Sequence, residues 1–163
     1  MRNDLILMGR RFFVWLIAAI FCVTPLNYGF GAQPTVCSVE PQDVGRVTET
    51  LKQMYVAASN DDLALFHRVA AGDYLAFDGG QRFSGDELMA LIQAEHKKGR
   101  RYVWTVMEPN VHLACNDAWI AFTNRGSVED ESGKKDRIWL ESAFLHKEAG
   151  VWKIQFFHST RVP

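Results

Sequence analysis

The stretch RIWLESAFLHKEAGVWKIQFFHST, residues 137–160, decides how the chain is read. It divides into two aromatic-rich runs, 137–146 and 151–160, joined by Lys147-Glu148-Ala149-Gly150. Aromatic and β-branched residues in alternation, broken by a short Gly-containing link, predict two antiparallel strands and a tight turn. Both strands carry polar groups, Glu141 and His158 among them, where a plain core strand would carry Val or Leu. By strict alternation His158 shares a face with Trp152, Ile154 and Phe156. The turn leaves His146 open: a three-residue loop with Gly150 left-handed gives one register, a two-residue loop the other.

Upstream, the period of two extends back to Arg100. Tyr102, Trp104 and Val106 alternate with Val103, Thr105 and Met107, and Pro109 predicts a bulge, bend or edge in that strand. Ala118–Val128 is the next strand, and EDESGKK, residues 129–135, is its polar hairpin tip. Before these strands the period is helical. Pro41 is expected as the first residue of a helix whose apolar stripe is Val44, Val47, Leu51, Met54/Tyr55 and Ala58. Asp61 is the expected cap of a second helix, with Leu63, Phe66, His67 and Ala70 inward and Gly72 as its stop. Tyr74–Asp78 and Gln81–Phe83 flank Gly79-Gly80, a two-residue hairpin signal. Ser84 and Glu87 form a capping box for a third helix, with Leu88, Leu91 and Ile92 as its buried face. Three helices against a curved, mostly antiparallel sheet give an α+β cone.

The 163 residues fit one domain after a leader. Arg2, Arg10 and Arg11 precede the uncharged run FFVWLIAAIFCV, residues 12–23, and no charge follows before Glu40. That is the layout of a secretory signal peptide, expected over residues 1–32, with a domain over 33–163. The run is shorter than the ~20 residues that span a bilayer, so cleavage is expected rather than an uncleaved anchor. A secreted or periplasmic protein follows, with no membrane partner after cleavage. The whole chain has 18 basic and 19 acidic residues and a net charge of -1, which gives no electrostatic footprint for nucleic acid. Cleavage leaves Cys37 and Cys115, candidates for one disulfide in an oxidising compartment. Closing so long a loop would stabilise by about 4 kcal/mol in the chain-entropy model.

With its two leading helices, YLAFDGGQRFSGDELMALI (residues 74–92) and the closing EAGVWKIQFFHSTRVP (residues 148–163), the chain resembles the nuclear transport factor 2-like superfamily. It is most similar to the small SnoaL-like, polyketide-cyclase-like members. The ending also resembles the closing strand of the association domain of calcium/calmodulin-dependent kinase. The resemblance spans about residues 41–161. It implies a cone enclosing a pocket, and a homodimer through the outer sheet face. Ketosteroid isomerase relatives use a carboxylate base with a Tyr/Asp oxyanion hole, a constellation that cannot be placed here residue by residue.

Three residues are the acid/base candidates. Asp78 precedes the Gly-Gly turn, where turn capping is the plainer explanation. Glu141 and Arg125 are expected within a diagonal of each other if the hairpin tip centres on Glu131–Lys134; an outward cross-strand ion pair is the plainer explanation. His158 titrates near neutrality without help. Tyr55, Trp104 and Trp139, with Arg125, are the candidate ligand-binding residues. The scattered histidines offer no metal-ligand spacing, no serine elbow surrounds Ser159, and no phosphate loop is present. No metal or cofactor is therefore expected. Two functions fit: a non-catalytic binding or oligomerisation module with a small hydrophobic or polar ligand in its pocket, or a cofactor-independent isomerase, dehydratase or cyclase.

Overall fold

Period-3.6 and period-2 segments each find a partner surface in the computed structural model, which describes residues 39–163. The leader, its cleavage point and Cys37 lie outside the described residues. The order is α1 (Asp43–Ser59), α2 (Leu63–Val69), β1 (Ala70–Asp78), β2 (Gln81–Ser84), α3 (Gly85–Lys97), β3 (Arg101–Ala114), β4 (Asp117–Asp130), β5 (Gly133–Glu148) and β6 (Val151–Arg161). One curved sheet runs β2-β1-β6-β5-β4-β3, antiparallel except where β1 lies parallel to β6. The three helices cover its concave face, giving the expected α+β cone.

The core forms between them. Val47, Leu51, Met54 and Ala58 of α1, Phe66 of α2 and Leu88 of α3 meet Ile120, Leu145, Trp152, Ile154 and Phe157 of the sheet. Each large side chain so buried is worth roughly 1.5–3 kcal/mol. The α1 stripe starts one residue earlier than expected. Pro41 lies in the preceding turn, Val44 is exposed, and Asp43 is fully buried. Its carboxylate receives Lys147 Nζ at 2.8 Å, Trp152 Nε1 at 3.1 Å and the Glu40 amide at 3.1 Å. These donors tie the start of α1 to the β5–β6 hairpin.

Other local expectations shift similarly. Asp62 rather than Asp61 caps α2, accepting the Leu65 amide at 2.8 Å. Asp61 adopts a left-handed φ of 54° and meets His96 Nδ1 at 2.9 Å. Leu63 and His67 are exposed, because α2 is only seven residues long and buries Phe66 alone. It gives way to β1 at Ala70, before Gly72. On α3 the Ser84/Glu87 capping box is present, but Leu91 is exposed and Met89 takes its buried place. Gly79 and Gly80, at φ 57° and 77°, make the two-residue hairpin.

Besides the irregular register of β1 against β6 between Ala70 and Leu75, bulges in β3 and β6 set the sheet's faces. In β3, Glu108 (φ 53°) and Pro109 fill the register shift between Met107 and Asn110 opposite β4, the irregularity that Pro109 predicts. In β6, Leu145 pairs with Ile154 but Phe144 pairs with Phe156, so Gln155 is an extra residue. That bulge inverts the alternation: Trp152, Ile154, Phe157 and Ser159 face the helices, while Phe156 and His158 face outward. The expectation that His158 shares the face of Trp152 and Ile154 is therefore corrected. The turn itself holds two residues, Ala149 and Gly150, between the paired Glu148 and Val151. That register puts His146 on the outer side, where its Nδ1 lies 2.6 Å from Asp117.

Candidate functional site

Glu141 is the centre of the site. It lies on the inner face of β5, 6% exposed, opposite Phe122 of β4 and Ser159 of β6. Three neutral donors reach its carboxylate. Tyr55 of α1 donates a short hydrogen bond to Oε2, Asn124 Nδ2 donates to the same oxygen at 2.9 Å, and Ser159 Oγ donates to Oε1 at 2.8 Å. Asn124 is oriented in turn, because its Oδ1 accepts the Thr105 amide at 2.9 Å. Burial pushes the Glu141 carboxyl above its ordinary value, against the lowering by those three donors. Burial and then the Glu141 charge raise the Tyr55 phenol well above its ordinary value. Tyr55 therefore acts as a donor.

A cavity of about 300 Å³ opens beside this network, between α1, α3 and the sheet. Its walls are aromatic. Tyr102 and Trp104 stack at 5.1 Å, Tyr55 leans on Trp104 at 5.5 Å, and Phe157 meets Tyr55 edge-on at 6.4 Å. Trp139 closes the side towards a wider cleft of about 940 Å³ at the Gly79-Gly80 turn. Asp78 stands where the two spaces join. Burial raises its carboxyl, opposed by the Gly79 amide and by His158.

The structure thus brings Asp78, Glu141, Tyr55, Trp104 and Trp139 to one cavity. It separates the other two. His158 sits on the outer face at the lip of the wider cleft. Arg125 is also exposed on the outer face and pairs with Ile138, three residues from Glu141. The expected diagonal fails because the hairpin tip holds only Glu131 and Ser132, so the register centres earlier than Glu131–Lys134. Asn124, Ser159 and Tyr102 were not singled out by sequence reasoning as site residues. Alternation from Glu141 with the correct tip would have found Asn124; Ser159 needed the β6 bulge. Among the described residues no group of three His, Cys, Asp or Glu could hold a metal ion.

The chain belongs to the calcium/calmodulin-dependent protein kinase II association domain family, whose model matches residues 40–163. Among solved structures it is similar to the association domain of the C. elegans kinase, 26% identical over 73% of this chain and 93% of that one, with a TM-score of 0.58. A ketosteroid isomerase-like protein from Erwinia carotovora atroseptica has a TM-score of 0.62 at 13% identity, covering 76% and 99%. An NTF2-like protein from Cytophaga hutchinsonii gives 0.62 at 13%, covering 76% and 100%. The nuclear transport factor 2-like fold is thereby shown, as the sequence resemblance implied. No curated protein matches the chain.

Proposed function

We propose that this protein is a self-associating module, exported, that carries a small-molecule pocket inside each cone. The observation that carries the association is the outer sheet face. One row crosses five strands there: His112 stacks on Trp119 at 3.9 Å, Trp119 pairs with Phe144, Phe144 with Phe156, and Phe156 meets Phe77 edge-on at 5.3 Å. A second row holds Met107 and Leu140, the latter 58% exposed. A contiguous apolar patch of this kind on a sheet marks a surface that a partner covers. A second copy is the partner this reading commits to, in keeping with the association-domain family. Export draws support from the apolar leader and from Cys115, which is disulfide-bonded. Cys37 is the partner we assign to it.

Sedimentation equilibrium tests the association. The protein is expected as a dimer or larger assembly, and Trp119→Asp with Leu140→Asp is expected to leave a folded monomer. A wild-type monomer at every concentration would remove the reading.

One observation favours a second reading, a cofactor-independent isomerase, dehydratase or cyclase: Asp78 and Glu141 border one cavity with two tyrosines. Its measurement is deuterium exchange next to the carbonyl in a panel of small enones and ketones. If none exchanges faster than in buffer, the catalytic reading is lost.

A further inference from the structure

The protein handles its two buried carboxylates differently. Asp43, fully buried, has Lys147 at 2.8 Å. Glu141 is nearly as buried and has neutral donors only. No cation among the described residues lies within ion-pair distance of Glu141 or of Asp78. Both carboxylates border the same cavity. Arg100, the basic residue on that cavity's wall, is committed elsewhere: it meets Glu95 at 2.6 Å and approaches Asp130 at 3.9 Å. Arg82, His158 and Arg161 line the wider cleft on the other side of Asp78 without reaching ion-pair distance of it, and Lys135 and Arg137 line clefts outside the cavity.

Asp78 feels His158 only from the outer face and Glu141 has hydrogen bonds alone, so two partly desolvated carboxylates with no ion-pair partner offer a favourable seat for a positive group. The walls suit such a guest. Tyr102 and Trp104 stack and Tyr55 tilts against Trp104, so the three rings form a continuous apolar wall for the body of a guest. The space, about 300 Å³, is of the size that takes a small organic molecule.

We propose that the cavity binds a small organic cation, an amine or quaternary ammonium on an apolar body, with its charge held between Asp78 and Glu141 and its body against Tyr55, Tyr102 and Trp104. This deepens the pocket part of the function proposed above and does not depend on the association. Glu141, its carboxyl oriented by three donors, supplies the acceptor at the inner end. Asp78 supplies the charge at the opening. Its own side chain is held by the Gly79 amide, a contact an Asn can keep.

Calorimetric titration of the intact protein with 2-phenylethylamine, 2-phenylethanol and 3-phenylpropionate tests this. The amine is expected to bind about tenfold or more tightly than the alcohol, and the carboxylate not to bind. Asp78→Asn is expected to weaken the amine about tenfold and leave the alcohol unchanged. The idea is overturned if the alcohol or the carboxylate binds as well as the amine, if no probe binds, or if Asp78→Asn leaves amine affinity intact. Sedimentation of the same samples reports the association separately, so loss of one proposal is distinguishable from loss of the other.

Discussion

Asp43 shows what a buried carboxylate does when its purpose is structural. Burial raises its carboxyl, but Lys147, Trp152 and the Glu40 amide outweigh that and bring it from 3.8 down to about 2. A depressed carboxyl stabilises the fold above its unfolded value and loses that contribution as pH falls. The contribution of about 2 kcal/mol should therefore fade from near pH 4 and be gone below about pH 2. Asp43→Ala should cost about 3–5 kcal/mol, because Lys147 and the Trp152 N–H lose their buried acceptor. Urea denaturation at pH 7 measures this; a loss below 1 kcal/mol would show that Lys147 simply swings into solvent. Glu141 runs with the opposite sign. Its carboxyl is raised in the fold, so its effect favours the native state at low pH and is lost as pH rises through that value. The residue types alone do not separate these two cases. What separates them is which side chains the fold delivers: a lysine to one carboxylate, and a phenol, an amide and a hydroxyl to the other.

At the scale of elements, a single extra residue in β6 governs the site. Lys153-Ile154-Gln155-Phe156-Phe157 offers two adjacent phenylalanines, and either could fill the core position after Ile154. Strict alternation selects Phe156; packing against Tyr55 selects Phe157. The bulge at Gln155 lets the second win, and it carries Ser159 in and His158 out. The hairpin that sets this register closes on Ala149 with φ 47° and Gly150 with φ 84°. Alanine is strained there and glycine is not. Ala149→Gly should stabilise by about 0.5–1 kcal/mol, read as a higher urea midpoint at unchanged slope. A lower midpoint would mean that the turn does not hold alanine left-handed in solution. Elements with self-contained signals were legible from sequence: the Gly79-Gly80 hairpin, the Ser84 capping box and the Pro109 bulge each depend on chemistry within a few residues.

For the whole molecule, the sheet has two faces with two uses. The concave face packs the helices and leaves the aromatic-walled cavity that holds Glu141; the outer face carries Trp119, Phe144, Phe156 and Leu140. If copies associate through that outer face, folding and assembly are linked by mass action. The Tm should then rise with protein concentration, and the rise should vanish in Trp119→Asp with Leu140→Asp. A Tm independent of concentration in the wild type would argue against linkage. The cone, by contrast, should unfold as one unit, since α1 is tied to β5 and β6 through Asp43.

The sequence by itself determined the element types, the cone and the family resemblance, because periodicity, caps and tight turns are local properties of the chain. It also singled out Glu141, Asp78, Tyr55, Trp104 and Trp139. Only the tertiary structure decided that those five share a cavity and that His158 and Arg125 lie outside it. The reason is register: each strand position faces in or out by a one-residue count. Those counts are set by the two-residue tips at Glu131-Ser132 and Ala149-Gly150 and by the bulge at Gln155. None of the three can be fixed until neighbouring strands are paired and the helices choose which phenylalanine to bury.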